Sequence, residues 1–123
     1  MLELGPIKNK DEIKLFYDKA GLDANEFSGC VKCADKDEIL GFCLYDLTDR
    51  QMLIRYIEPM GDLSLADGIL RSTLHVSAQK SIMDAFYADT LPEDFFRKLG
   101  FIKNSEEKRL DIDKLFKSCH NCG

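Results

Sequence analysis

The chain has 123 residues, of which 45% are hydrophobic and 32% are charged, a balance typical of one soluble globular domain with a single core. Its 17 basic residues are interspersed with 22 acidic ones, and the net charge of −5 excludes the clustered positive surface of a nucleic-acid-binding protein. No apolar run approaches the roughly 20 residues needed to cross a bilayer, which excludes a membrane-spanning protein.

The first half of the chain predicts a strand, a helix and an antiparallel meander. A short strand is expected at residues 2–4, and apolar residues at helical spacing predict a helix over 11–20 that Gly21 ends. Three strands then follow, separated by polar turns too short for the crossover that parallel neighbours need. These strands are predicted at residues 29–34, 38–47 and 52–57.

The next segment changes to helical spacing and predicts an amphipathic helix over residues 65–79. Ser64 followed by Asp67 has the pattern of a capping box at its start. A strand is expected at 83–88. The helix is long enough to connect the strand at 52–57 to this one as parallel neighbours.

The last elements are a helix over 91–99, ended by Gly100 in the left-handed conformation, and a strand over 108–113. We therefore predict a single domain over residues 1–114 and a polar tail over 115–123. The fold class is α/β, or α+β, with a mixed central sheet, helices on both faces and the order β-α-β-β-β-α-β-α-β.

Three segments resemble the GNAT (GCN5-related N-acetyltransferase) family over about residues 11–113. Phe95–Phe101, FFRKLGF, is similar to the family segment FYEKLGF, and ILGFCL at 39–44 is similar to its third strand, IVGF. Leu70, Leu74 and Ala78 occur where the central helix of the family has Leu, Leu and Ala. The resemblance implies a GNAT-like fold and transfer of an acyl group from acyl-CoA to an amine.

In this family the acyl-CoA diphosphate binds to backbone N–H groups of a turn, Q/R-x-x-G-x-G/A, before the central helix, where glycines permit close approach. The matching hexapeptide, DLSLAD at 62–67, lacks the basic residue and both glycines. A slip of three residues recovers Gly68, so the resemblance implies diphosphate binding by Gly68, Ile69 and Arg71. The carboxylates of Asp62 and Asp67 would repel an anion at this turn. The alternative to a diphosphate site is an ordinary capped helix.

The catalytic residues implied by the resemblance lie at the end of the third meander strand and on the strand at 83–88. Phe96 stands where the family has the tyrosine that protonates the leaving thiolate. Tyr87 or Tyr56 is therefore expected to be the proton donor. The alternative is that both are aromatic residues of the core. Glu58 is the candidate general base, and the alternative is a solvated carboxylate. The backbone of Tyr56 and Ile57 is expected to hold the thioester carbonyl.

Five cysteines and no apparent signal peptide favour reduced thiols and a cytoplasmic protein. Cys30 and Cys33 form a C-x-x-C pair on a predicted strand, where they point to opposite faces, so we interpret them, like Cys43, as buried small residues. Cys119 and Cys122 in the tail are a candidate redox pair, and the alternatives are an inert tail or a metal shared between subunits. We predict no metal site within the chain because a fourth ligand is missing.

The resemblance thus implies an N-acyltransferase with acetyl-CoA or CoA as co-substrate and a small-molecule or peptide amine as acceptor. No nucleic-acid or membrane partner is expected. The alternative is a catalytically inactive GNAT-fold module that binds a partner or senses redox state through the C-terminal C-x-x-C pair. The acyl-CoA interpretation requires a V-shaped opening between the strands at 52–57 and 83–88. Strands paired along their full length would contradict it.

Overall fold

The computed structural model describes residues 2–117, which form one mixed sheet and four helices. The strands are β1 (Leu2–Pro6), β2 (Ser28–Asp35), β3 (Glu38–Leu47), β4 (Met52–Glu58), β5 (Ala85–Tyr87), β6 (Ile102–Asn104) and β7 (Arg109–Leu110). The helices are α1 (Lys10–Lys19), α2 (Leu63–Ala78), α3 (Glu93–Leu99) and α4 (Lys114–Lys117). None of the helices among residues 2–117 combines the length and the apolar character needed to cross a membrane.

The strand order in the sheet is β1-β2-β3-β4-β5-β7-β6. β2, β3 and β4 form the predicted antiparallel meander, β1 pairs antiparallel with β2 at its edge, and α2 connects β4 to β5 as parallel neighbours. β7 pairs antiparallel with both β5 and β6. The predicted mixed sheet, with one parallel pair after the meander, is confirmed.

The core consists of two clusters of buried side chains, one on each face of the sheet. The α1-face cluster comprises Ile7, Ile13, Phe16, Tyr17, Cys30, Phe42 and Leu44. The larger α2-face cluster includes side chains of α2 and α3, among them Ile69, Leu70, Leu74, Phe95, Phe96 and Leu99, together with Ile54 and Ile57 of β4. Helices therefore cover both faces, as predicted.

The start of α2 differs from the prediction. The helix begins at Leu63, two residues earlier than expected, because Asp62 is its N-cap and the Asp62 carboxylate accepts a hydrogen bond from the Leu65 amide at 3.1 Å. The predicted capping box of Ser64 and Asp67 is therefore wrong. Asp67 instead pairs with Arg71 one turn later, with 2.8 Å between Oδ2 and Nε.

The C-terminal part also departs from the prediction. The expected strand at 108–113 is shortened to β7, and β6 was not predicted because its polar residues hide the strand pattern. α4 occupies the start of the predicted tail, where Leu115 packs against the core and Lys114 donates to the Leu99 carbonyl at 2.6 Å. Cys119 and Cys122 lie outside the described residues.

Candidate functional site

The pairing between β4 and β5 ends before the carboxyl end of β4. Their parallel pairing is confined to residues 52–54 of β4, followed by one hydrogen bond of 2.9 Å from the Ala88 amide to the Ile54 carbonyl. Residues 55–58 of β4 continue beyond the end of β5. The stretch of β4 beyond the last β5 pairing, residues 55–58, is called the opening below, because it is the position at which the sequence predicts the acyl-CoA site.

A β-bulge at Arg55 determines which side chains border this opening. Tyr45 pairs with Ile54 and Leu44 with Tyr56, so Arg55 is the extra residue on β4. The Arg55 guanidinium donates to Asp46 at 3.1 Å, which anchors the bulge to β3. Beyond it, Ile57 is buried in the α2-face cluster and Tyr56 packs on the α1-face cluster.

Tyr56 and Glu58 form a hydrogen-bonded pair at the end of β4. The Tyr56 hydroxyl donates to the Glu58 carboxylate with an oxygen–oxygen distance of 2.7 Å. This bond and partial burial raise the pKa of Tyr56, because ionisation would place two negative charges side by side. Tyr56 therefore keeps its proton and donates the hydrogen bond that orients Glu58. The Glu58 carboxylate accepts this one hydrogen bond and has further acceptor positions for a ligand.

Gly41 permits the close contact between β3, the end of β4 and α2. A Cβ atom at this position would lie 2.6 Å from the Glu58 carbonyl oxygen and 2.7 Å from Cδ1 of Ile69. These separations are too short for any larger residue without movement of the backbone. The family resemblance of this segment carries no indication that its glycine lies against the Glu58 backbone.

The first turn of α2 offers two backbone donors beside the opening. The first helical hydrogen bond is donated by Ala66 to the Asp62 carbonyl at 2.9 Å, and the Leu65 amide is already bound by the Asp62 side chain. The N–H groups of Leu63 and Ser64 precede these bonds and have no acceptor within the helix. They lie at the end of the helix where the partial charge is positive.

The structure places Gly68, Ile69 and Arg71 further along α2 than a phosphate turn requires. Gly68 and Ile69 lie in the second turn, where an α-helix uses its amides in its own hydrogen bonds, and Ile69 is fully buried. The Arg71 guanidinium pairs with Asp67 and lies 5.2 Å from the ring centre of Phe101. The structure thus brings none of these three predicted residues to the first turn.

A cavity of about 350 Å³ separates the start of α2 from α3. Gly61 and Leu63 line one side, and Asp94, Phe95 and Lys98 of α3 line the other. Lys98 pairs with Asp94 at 3.2 Å, and both side chains are more than half exposed, so the pair is screened and weak. Lys98 and Asp94 therefore bring one charge of each sign to the cavity. The sequence reasoning missed Lys98 although it lies inside FFRKLGF.

Tyr87 is part of the core. Its side chain is 2% exposed, stacks on Phe96 with 4.5 Å between ring centres, and belongs to the α2-face cluster. Burial raises the pKa of the Tyr87 hydroxyl. It is not among the residues that line the cavity between α2 and α3.

The three described cysteines are buried free thiols. Cys30 belongs to the α1-face cluster, whereas Cys33 and Cys43 belong to the α2-face cluster, which confirms that the C-x-x-C pair is split between the two faces. Among residues 2–117, no three His, Cys, Asp or Glu side chains come together as a metal site.

No family model matches the chain. No curated protein matches it either. Solved structures do match. YhhK from E. coli, solved bound to coenzyme A, aligns with a TM-score of 0.57 at 15% identity over 83% of this chain and 93% of that protein. A GNAT-family acetyltransferase from Streptococcus pneumoniae aligns with a TM-score of 0.56 at 15% identity over 86% and 91%. A ribosomal-protein-alanine N-acetyltransferase from Brucella melitensis biovar Abortus 2308 aligns with a TM-score of 0.55 at 13% identity over 80% and 88%. At this level of identity the likeness is one of fold, and the chain therefore has the fold of the GNAT acetyltransferases.

Proposed function

We propose that this domain is an acyl-CoA-dependent N-acyltransferase, with acetyl-CoA as donor and an amine as acceptor. The observation that carries the proposal is that β4 extends four residues beyond its last pairing with β5, toward the first turn of α2. One structure of the same fold, YhhK, carries coenzyme A. The opening, the free amides and the cavity between α2 and α3 lie on adjoining elements.

The residues present fit a diphosphate in part. The amides of Leu63 and Ser64 supply two donors at a helix N-terminus, and Lys98 supplies a positive charge from the other side of the cavity. The carboxylate of Asp62 opposes an anion at the same turn. Leu63, Ser64 and Lys98 are therefore the residues that would hold the phosphates, with an affinity lowered by Asp62.

The acyl donor supplies a thioester, whose acyl group forms a bond to the acceptor nitrogen while the carbon–sulfur bond breaks. Glu58 is suited to accept the proton that the amine loses, because its carboxylate lies at the end of β4 and is held by Tyr56 alone. Tyr56 is a positioning residue, since its raised pKa keeps its proton in place. The backbone of Tyr56 and Ile57 lies beyond the last β5 pairing, at Ile54, and is the proposed partner of the acyl carbonyl.

A second candidate function is that of a non-catalytic binding module. Three observations favour it. The Asp62 carboxylate accepts the hydrogen bond of one first-turn amide, Asp67 forms an ion pair with Arg71, and the buried Phe96 has no hydroxyl group. The redox version of this alternative depends on Cys119 and Cys122. Coenzyme A binding separates the two functions, because the module has no need of it.

The first experiment measures binding of acetyl-CoA and CoA by calorimetry and by thermal unfolding. Saturating ligand is expected to raise the melting temperature by several degrees for a domain of this size. Release of free thiol in the presence of amines then tests turnover. Absence of saturable binding at millimolar acetyl-CoA would contradict the proposed function and favour the module.

A matched pair of variants tests the backbone donors. Leu63→Pro removes one N–H group at the first helical position, where proline is well tolerated, and Leu63→Ala removes the same side chain but keeps the N–H. Relative to Leu63→Ala, Leu63→Pro is expected to weaken acetyl-CoA binding about tenfold or more, the size of a hydrogen bond to a charged group. Equal affinities of the two variants would place the diphosphate elsewhere.

A further inference from the structure

β1 forms one edge of the sheet, and its outer side is unpaired. It pairs antiparallel with β2, and no second strand among residues 2–117 joins it. The Ile7 amide donates to the Cys30 carbonyl at 2.8 Å, in the register that continues from Pro6 and Val31. Because the hydrogen-bonding groups of a strand alternate between its two sides, those of residues 3 and 5 also face β2. The backbone groups of residues 2, 4 and 6 therefore face outward from the edge.

This edge is a template for a further strand. Leu2 and Leu4 each present an N–H and a C=O group there, and Pro6 presents a C=O group alone. The opposite edge of the sheet is protected, because β6 has only three residues and exposes Lys103 and Asn104. β1 is therefore the edge that is open to pairing.

The side chains of Leu2 and Leu4 add exposed apolar surface beside this edge. They are 61% and 44% exposed, and together with Leu40 and Leu65 they line a cavity of about 510 Å³. Leu4 reaches α2, since a Cβ atom at Gly68 would lie 3.9 Å from its Cδ2 atom. Exposed leucines next to unpaired backbone groups favour a partner that covers both.

We propose that β1 pairs with β1 of a second copy of this chain, antiparallel about a two-fold axis at Leu4. In this register the Leu4 amide of each copy donates to the partner's Leu4 carbonyl, and each Leu2 amide donates to the partner's Pro6 carbonyl. Every outward N–H group of β1 then has an acceptor. The missing N–H of Pro6 leaves only the Leu2 carbonyl without a donor, at the end of the pairing.

The charge of Glu3 selects this register over the neighbouring one. Sliding the two strands by two residues would move the axis to Glu3 and place two carboxylates directly opposite each other, which is destabilising. With the axis at Leu4, Glu3 lies opposite the partner's Gly5. A Cβ atom at Gly5 would meet nothing within 4 Å, so this position leaves space for the Glu3 side chain.

The pairing also covers the apolar surface of β1. A two-fold axis between antiparallel neighbours is perpendicular to the sheet, so the α2 faces of both copies lie on the same side. Leu4 then lies against the partner's Leu4, and Leu2 lies against the partner's Pro6. Removal of these side chains from water adds hydrophobic stabilisation to the hydrogen bonds. The pairing does not depend on the proposed function.

The first test is the mass of the full chain, measured by sedimentation equilibrium from micromolar to millimolar concentration with reductant present to exclude disulfide-linked copies. The mass is expected to rise from 14.0 kDa toward twice that value. Amide hydrogen exchange should slow with concentration at Leu2 and Leu4, and change less at Glu3 and Gly5, whose amides already face β2.

Opposite charges at the axis then test the register. Leu4→Glu alone and Leu4→Lys alone each place like charges directly opposite, and each should be monomeric where the unmodified chain is a dimer. An equimolar mixture of the two variants should recover the dimer, because opposite charges then face each other. Glu3→Gln is the matched control, which should change the dimer affinity by no more than about threefold because Glu3 faces glycine.

Circular dichroism and urea unfolding verify that the variants are folded, and if either is not, the mass and exchange data of the unmodified chain decide. A chain that stays monomeric at millimolar concentration would overturn the proposal. So would a dimer without protection at Leu2 and Leu4, or one that Leu4→Glu forms as well alone as in the mixture. A large gain in affinity from Glu3→Gln would contradict the axis at Leu4.

Discussion

Replacing Asp62 by Asn is predicted to change ligand affinity and stability in opposite directions. Asp62 accepts the Leu65 amide at 3.1 Å and is exposed to solvent at the turn where the amides of Leu63 and Ser64 are free. Asn keeps the cap because its side-chain oxygen also accepts a hydrogen bond. The substitution therefore removes one negative charge and little else.

The magnitude follows from Coulomb's law. Two unit charges about 5 Å apart repel by roughly 1 kcal/mol in water and about 3 kcal/mol at an effective dielectric constant of 20. Asp62 is exposed, so the lower figure applies, and Asp62→Asn should tighten acetyl-CoA binding about fivefold. The lost interaction with the helix dipole should lower the free energy of unfolding by about 0.3–1 kcal/mol.

Calorimetry at low and high salt measures the first effect, and urea unfolding measures the second. The gain in affinity should shrink at high salt because the repulsion is screened. Asp23→Asn, in the loop after α1, is the control that changes the net charge equally away from α2. Equal effects of Asp62→Asn and Asp23→Asn on acetyl-CoA affinity would refute the placement of the diphosphate at the first turn of α2.

Three further substitutions test other contacts. Gly41→Ala should lower the free energy of unfolding by about 1–3 kcal/mol in urea, because its methyl group would meet the Glu58 carbonyl at 2.6 Å; an unchanged value would contradict that contact. Burial raises the pKa of Tyr45 to about 12, so the folded state keeps a proton that the unfolded chain loses above about pH 10, and stability should fall as pH rises through this window. Tyr45→Phe should reduce this loss of unfolding free energy by up to about 3 kcal/mol, measured by urea unfolding below and above the pH range in which Tyr45 ionises. An unaltered pH dependence of stability would exclude Tyr45 as its cause. Asp67→Asn frees Arg71 and should tighten acetyl-CoA binding a few-fold while changing stability by no more than about 0.5 kcal/mol, whereas weaker binding would show that the pair supports the site.

Much of the fold could be predicted from local pattern. The strand at 38–47 and the helix end at Gly100, with a φ of 78°, follow from alternation and from turn chemistry within a few residues. The start of α2 could not be fixed in this way, because Asp62 and Ser64 are both good N-caps and only the folded chain chooses between them. β6 was missed since Lys103 and Asn104 are exposed on it.

The candidate site was predictable only where it depends on one segment. Glu58 and Tyr56 were expected at the end of the third meander strand, and the structure joins their side chains there by a hydrogen bond. Lys98 was missed because its relevance arises from the cavity between two elements distant in sequence, α3 and the start of α2. A resemblance in sequence supplies the order of elements, whereas such cross-element contacts require coordinates.

The most direct measurement is an amide chemical-shift titration of the labelled protein with acetyl-CoA. If the opening between β4 and β5 is the acyl-CoA site, saturable shifts should concentrate at residues 55–58 and at the first turn of α2, 63–65. Shifts confined to other surfaces, or none at millimolar ligand, would contradict the assignment of the opening to acyl-CoA.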